Sequence, residues 1–535
     1  MAAKVLEDVR PSGWAVKGEA KTNDGTVEAA VTFQTAQGRG LGFVRLRPEG
    51  CWTLLTSLEA LSGHEEACGP RRQLGHVPRP MRHRETWAEQ RAREQAELGV
   101  SRQPYVVIVG GGQSGMTLAA RLKRLEVPTV VLEKSPRAGD IWRNRYQALC
   151  LHDPVWVCHL PYMPFPDHWP LYASKDKVAD WFEMYASVME LDYWTSSTCT
   201  SAVWDEAGKE WAVSVSRGGQ RVQLRPKHVV VATGLYGLPH VPHFPGAESF
   251  QGSLLHSSRY TCGADYAGKK AVVIGSNTSA HDVCQDLWEQ GVDVTMLQRS
   301  STAITTVESM REVLLKDLYS EEALAKGITT EEADLTMASV PYKVLAEQHK
   351  VVCKAMQEYD ADILQRLRGA GFLLDFGDDD SGVFMKFLRR GSGYYFDVGA
   401  SQLIADGSVK LKTGKVDRIS EAGVITDDGT ELPADLVVLA TGYQPMASLA
   451  ATFMEKETID KLGTVWGLGS DTTGDPGPWE GELRNMWKPT AQEGLWLHGG
   501  NLLQNRIYSH VLALQLKARQ AGIPTPVYGF GSEVA

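Results

Sequence analysis

Tyr105-Val-Val-Ile-Val109-Gly110-Gly-Gly112-Gln113-Ser114-Gly115 joins an unbroken run of β-branched residues to a glycine-rich turn. Such a run is the composition of a parallel strand buried on both faces. Met116 to Leu125 reads as the helix that follows, and Thr129-Val-Val-Leu132 as the next strand. In this setting Gly110 makes the tight turn, Gly112 lets the backbone approach a pyrophosphate, and Gly115 lets helix and strand pack closely. The amides of Gln113 and Ser114 open the helix, where negative charge is favoured. Glu133 closes the second strand and is placed to accept the ribose hydroxyls of an adenosine without a 2′-phosphate. Lys134 beside it joins the candidate contacts.

A second turn, Gly275-Ser-Asn277-Thr278-Ser279-Ala280, follows the apolar strand Ala271-Val-Val-Ile274. Asparagine replaces the middle glycine, as one of the few residues that tolerate positive φ, and Ala280 still allows close packing. The next strand, Val294-Thr-Met-Leu297, ends at Gln298-Arg299 and carries no acid. A guanidinium pairs bidentately with phosphate, so Arg299 points to NADPH over NADH; the plainer alternative is a solvated strand-end arginine. Two further apolar strands, Val229-Val-Val-Ala-Thr233-Gly234 and Leu436-Val-Val-Leu-Ala-Thr441-Gly442-Tyr443, each end in Ala-Thr-Gly. Small residues there let the backbone run close to a ligand, and the second strand is expected to return the chain to the first domain.

A chain of 535 residues exceeds one ordinary core. With 43% apolar and 22% charged residues it is globular in composition. A net charge of -10 argues against a nucleic-acid partner. No apolar run approaches the ~20 residues of a membrane span, and the first residues lack a signal-peptide core. The eight cysteines show no C-x-x-C, metal spacing or disulfide framework, so no metal site is expected and a reduced cytoplasm is the expected home.

Between the two turns lies Phe250-Gln-Gly252-Ser-Leu-Leu-His256-Ser-Ser-Arg-Tyr260, an F-x-G-x-x-x-H-x-x-x-Y pattern. With the flanking turns, the Leu-Ala-Thr-Gly-Tyr443 strand end, Gly139-x-x-Trp142, the Pro161–Pro166 run and Gly499-Gly-Asn501…Gln504…Arg506…Tyr508, it resembles the flavin-containing monooxygenases over residues 102 to 525. The resemblance implies an α/β fold of two Rossmann-like dinucleotide-binding domains, for FAD and NADPH, the second inserted into the first. The flavin domain would cover 102–236 and return over 409–535. The NADPH domain would cover 237–408, with a helical insertion at about 303–395 whose Met310, Tyr342, Phe372 and Phe384 are either pocket or core. Residues 84–101 read as a linker helix.

Residues 1–83 read as a small, mostly β segment with strands near Glu28–Thr35, Gly40–Leu46 and Cys51–Leu58. Trp52 to His64 resembles the last part of a SnoaL-like module. Its plainer reading is a packing extension or a dimerisation extension, the latter giving a homodimer.

The family likeness further implies that NADPH reduces the flavin and that O2, captured as C4a-hydroperoxyflavin, delivers one atom to a small-molecule substrate. Tyr260 is closer to N- and S-oxygenating members than to Baeyer–Villiger enzymes, though Baeyer–Villiger and indole-3-pyruvate-type chemistry stay open. A non-catalytic nucleotide sensor also stays open, whereas a disulfide oxidoreductase would need redox cysteines that Cys150 and Cys158 are not spaced to form. Carried over residue by residue, Trp142 and Arg143 fall near the flavin, as do Thr233, Gly234, Thr441 and Gly442. His152 and Asp153 stand where several members place asparagine in the reaction pocket. Asn501 and Gln504 are expected nearest the flavin, or are ordinary helix caps. His256 is either an acid–base group or a hinge.

Overall fold

The apolar strand at Val106–Val109 needs cover on both faces and an edge on either side, and a five-stranded parallel sheet supplies both. Its order is Leu495–Leu497, His228–Val231, Val106–Val109, Thr129–Leu132, Tyr193–Trp194. The computed structural model describes residues 2–75, 79–468 and 482–527. Helix Gln113–Arg124 buries Met116, Leu118 and Leu122 and packs against the long C-terminal helix Leu502–Gln520. A small antiparallel sheet, Ser197–Asp205, Glu210–Arg217 and Gln220–Leu224, adjoins this unit.

The second unit repeats the plan with strand order Ser253–His256, Leu436–Leu439, Lys270–Ile274, Asp293–Gln298, Lys410–Thr413, again all parallel. This corrects one expectation. Leu436–Leu439 lies inside the second sheet, between two parallel neighbours, so residues 410–439 do not belong to the return placed at 409–535. The first sheet is rejoined only by Leu495–Leu497. A fully buried apolar strand carries no mark of which sheet will bury it, so its composition could not choose.

The two passages between the units lie side by side. After each Ala-Thr-Gly the chain runs into one strand of an antiparallel ribbon, Leu238 facing Gln444 and Pro239 facing Tyr443. The helical insertion is bracketed by a parallel pair, Ala303–Thr306 with Tyr394–Asp397. Inside it, buried Asp360 accepts hydrogen bonds from the Thr306 amide (3.0 Å), the Thr306 hydroxyl (2.6 Å) and the Ser309 hydroxyl (2.7 Å). Arg506 pins the insertion to the C-terminal helix. Its guanidinium donates to both oxygens of Asp334 (2.7 and 2.8 Å) and to the carbonyls of Val157 and His159 (2.7 and 2.9 Å).

The N-terminal segment is a four-stranded antiparallel meander, Ser12–Asn23, Thr26–Gln34, Gly38–Arg47 and Gly50–Leu61. The first strand was not foreseen. All twelve of its residues are exposed, so no buried face marks it, and it is held by ladder hydrogen bonds and a ring contact of Trp14 with Phe33 (4.8 Å). The sheet leans on the insertion through Arg45, which pairs with Glu28 (2.7 Å) and donates to the Ser339 carbonyl (3.3 Å). Helix Trp87–Glu97 follows, closed at its start by a Thr86/Glu89 capping box. Among the described residues no helix is long and apolar enough to cross a membrane, and no His/Cys/Asp/Glu group is able to hold a metal.

His228, at the base of the first sheet, is buried and neutral. Trp496 donates to its Nδ1 (3.2 Å), which leaves the proton on Nε2, facing the Tyr105 hydroxyl (3.3 Å). Burial, reinforced by Arg519 and Lys227, pulls this imidazole down to about 3. Because the folded value is depressed, its contribution to stability is complete above the unfolded value of ~6.5 and is lost as pH falls from there. The loss is about 1.4 kcal/mol per pH unit. Urea unfolding at pH 7 and pH 5 is therefore expected to show a smaller loss of stability in His228→Leu than in the wild type; equal losses would contradict this assignment.

Candidate cofactor and reaction site

The carboxyl ends of both sheets open on one crevice of about 1500 Å3, and both glycine turns line it. Gly110 has a φ of +110°, and a Cβ there would sit 2.5 Å from the Ala232 carbonyl oxygen. A Cβ on Gly115 would sit 2.0 Å from the Gly110 carbonyl oxygen. At Gly112 the nearest atom would be 3.9 Å away, so the backbone lies open to the crevice. Gly111 is constrained as well, and this was not foreseen. Its amide donates to Glu133 (2.9 Å), the Tyr193 hydroxyl donates to its carbonyl (2.8 Å), and a Cβ would lie 2.0 Å from that hydroxyl. The other Glu133 oxygen accepts from the Ser135 amide (2.7 Å), which holds the carboxylate at the wall with lone pairs to spare. Gln113, Ser114 and exposed Lys134 line the same end.

The second turn follows the same plan. Gly275 has a φ of +132°, and a Cβ there would sit 2.4 Å from the Ala440 carbonyl oxygen. The reason given for Asn277 needs correction. Its φ is -95° and ψ -171°, extended backbone like that of Gly112, so a left-handed conformation is not what the position requires. What matters is a helix start: the Asn277 carbonyl accepts from the Ala280 and His281 amides (2.9 and 3.1 Å). The Thr278 hydroxyl donates to the Tyr394 carbonyl (3.1 Å), and Ser279 lines the wall. Gln298 is buried and bonded twice to Leu373 (3.0 and 2.8 Å). Arg299 stands exposed at the crevice wall, with no carboxylate in ion-pair reach among the described residues.

Where the units meet, the wall shows groups suited to a ligand. The Thr233 hydroxyl and the Trp142 indole N–H are buried without a hydrogen-bond partner among the described residues. Gly234 and Gly442, with φ of +79° and +83°, border open space. Thr441 is anchored by a bond to the His240 carbonyl (2.6 Å). A buried donor without a partner costs about 1–3 kcal/mol, so these groups fit dinucleotides laid along the two turns.

Other expected residues stand elsewhere. Arg143 is drawn into an ion cluster with Asp140, Asp180 and Glu183, away from the crevice lining; Arg145 and Tyr146 line it instead. Asn501 reaches the wall, but its side-chain oxygen caps the Gln504 amide (2.9 Å) while Gln504 returns a bond to the Asn501 amide (3.3 Å). Gln504 does not line the crevice. His256 has both ring nitrogens engaged, Nδ1 with Ser258 (2.9 Å) and Nε2 with the Gly442 carbonyl (3.0 Å), and it too lies outside the lining. Met310, Tyr342, Phe372 and Phe384 are packing residues away from this crevice, whose aromatic lining includes Phe387, Tyr394, Phe396 and Trp466.

His152 and Asp153 do line the crevice. Burial raises the Asp153 carboxyl, and His152 beside it works the other way. His152 Nε2 lies 3.6 Å from Asp282 Oδ1, and Tyr146 donates to Asp282 Oδ2 (2.5 Å). Asp282 and Tyr146 were not singled out; the available signal was a pair of acids, Asp282 and Asp286, on the buried face of a helix.

A pyridine nucleotide-disulphide oxidoreductase family model matches residues 107–363. Indole-3-pyruvate monooxygenase YUCCA1 of Oryza sativa subsp. japonica is 31% identical over 66% of this chain and 79% of that protein. The chain belongs to the flavin-containing monooxygenase family. A probable indole-3-pyruvate monooxygenase, YUCCA3 of Arabidopsis thaliana, is 30% identical over 63% of this chain and 72% of its own. Among solved structures, an oxidised steroid monooxygenase bound to NADP shares the fold with a TM-score of 0.56 at 18% identity, over 78% of this chain and 85% of that one. All eight cysteines are free thiols.

Gly111 gives the site a direct test. Gly111→Ala forces Tyr193 and Glu133 off the turn, so the variant is expected to purify with less than a tenth of the wild-type flavin absorbance while its far-ultraviolet circular dichroism is unchanged. Full flavin retention would show that this contact does not shape the turn.

Proposed function

We propose that this chain is an FAD- and NADPH-dependent monooxygenase that adds one atom of O2 to a small organic substrate. The observation that carries the reading is that both dinucleotide turns open on one crevice, so two cofactors laid on them meet at its middle. Gly110, Gly112, Ser114 and Glu133 would hold the FAD pyrophosphate and adenosine. Gly275, Asn277 and Thr278 would hold the NADPH pyrophosphate, and Arg299 its 2′-phosphate. When bound, the flavin and nicotinamide supply hydride transfer and the activation of oxygen. The chain supplies position, dryness and hydrogen bonds. Thr233 and Trp142 offer N–H and O–H donors from the wall, and Phe387, Tyr394, Phe396 and Trp466 keep the reaction end apolar.

N- or S-oxygenation is the finer reading we favour. The three basic residues that the insertion brings to the wall are spent on aspartates: Lys386 on Asp375 (2.5 Å), Arg389 on Asp379 (2.7 Å) and Arg390 on Asp378 (2.6 Å). An uncharged amine or sulfide suits such a wall. A second reading, oxygenation of a 2-oxo acid with loss of CO2, is supported by the names of the plant relatives and by Arg145. That residue lines the crevice with no carboxylate in ion-pair reach among the described residues.

The deciding experiment reduces the FAD-loaded protein anaerobically with NADPH, admits O2, and assays amine, sulfide and 2-oxo acid substrates by mass spectrometry. An N- or S-oxide supports the first reading, and CO2 release from the 2-oxo acid the second. Flavin that NADPH cannot reduce would return the protein to the class of nucleotide sensors. Arg299→Ala is expected to weaken NADPH binding about 10- to 100-fold, the worth of a charge-assisted pair, and to leave NADH unchanged. Equal losses for both nucleotides would place the 2′-phosphate elsewhere.

A further inference from the structure

Helix Thr278–Glu289, which begins at the second turn, buries two acids one turn apart, Asp282 and Asp286. Their partners come from opposite directions. Asp286 accepts from the Tyr260 hydroxyl and from the Gly263 amide (2.8 Å), which lie between the strands Ser253–His256 and Lys270–Ile274 of the second unit. This gives the final tyrosine of the F-x-G-x-x-x-H-x-x-x-Y pattern a physical task, fastening the helix to its own unit.

Asp282 reaches the other way, across the seam. Its Oδ2 takes the Tyr146 hydroxyl (2.5 Å), and its Oδ1 faces His152 Nε2 at 3.6 Å. Tyr146 and His152 follow the first turn, whereas Asp282 rides on the helix of the second. All three line the crevice. Asp282 Oδ1 is buried and has no hydrogen-bond partner among the described residues, although an imidazole nitrogen stands only a fraction of an ångström beyond bonding distance. The same imidazole meets Tyr395 of the second unit in a T-shaped contact (6.1 Å), and Tyr395 lies flat on His281 (4.1 Å, 13°). A small movement of this helix therefore either completes an Asp282–His152 bond or widens the gap.

We infer that Asp282 is a positioning residue: a nucleotide on the second turn draws the helix so that Asp282 completes its bond to His152, which places the imidazole at the flavin end of the crevice. The inference rests on the reading that the second turn holds the nicotinamide nucleotide. The bond is worth the same to both ends, so its loss on the flavin side must weaken nucleotide binding on the other.

NADP+ affinity of the FAD-loaded protein, read by titrating the flavin absorbance and by calorimetry, tests this without turnover. Asp282→Asn and His152→Gln are each expected to weaken NADP+ binding about tenfold, and the double variant no further than either alone. A merely structural role would instead lower the thermal midpoint and give single losses that multiply in the double variant; that outcome overturns the inference. His152→Gln lies at the crevice wall and leaves the buried helix intact. It decides the matter alone should Asp282→Asn not fold, since unchanged NADP+ affinity in it also overturns the inference. Failure of the wild type to bind NADP+ would remove the cofactor reading itself, whereas binding without coupling removes only the role of Asp282.

Discussion

Each dinucleotide turn is pressed against the alanine of an Ala-Thr-Gly passage with no room for a side chain between them. A Cβ on Gly110 would lie 2.5 Å from the Ala232 oxygen, and one on Gly275 would lie 2.4 Å from the Ala440 oxygen. Much of the molecule follows from this repeated contact. It locks each turn to the strand that leaves its sheet, so the ligand-facing amides and the interdomain passage share one place. The ribbon of Leu238–Pro239 with Tyr443–Gln444 then ties the two passages together, so both turns face the same crevice.

Around that frame the buried polar groups act as fasteners between parts that sequence separation keeps far apart. Arg506 joins the C-terminal helix, the insertion and the 157–159 segment through a fork and two carbonyls. Such a pair is a weak source of net stability but costly to break, because the surviving charge stays buried. His256 acts similarly at the seam, on the Gly442 carbonyl, while Tyr260 on Asp286 fastens the second unit within itself. An enzyme that must keep a reactive site dry needs its domains held in register, and these contacts hold them by direction as well as by area.

Local chemistry and tertiary context divide cleanly at particular residues. The glycine spacing at 110, 112 and 115 was legible because the turn is written in contiguous residues, although the Ala232 carbonyl that Gly110 meets lies far along the chain. Arg299 was legible because a strand end without an acid is a local fact. Asn501 and Gln504 were ambiguous for the same reason: a capping box and a ligand contact use the same side chains, and the structure shows the cap. The positive φ invoked for Asn277 failed because the middle position of the turn demands only an open approach.

By itself the sequence determined two parallel α/β units, their turns, the helical insertion and the family likeness, since buried strands and phosphate-binding turns are written in contiguous residues. Only the tertiary structure decided that Leu436–Leu439 belongs to the second sheet, that an exposed strand opens the N-terminal meander, and that Asp282 looks across the seam to His152. The physical reason is the same in all three. Hydrogen bonds between distant strands and contacts between distant side chains are settled by competition among alternative partners, and the residues themselves carry no record of which partner wins.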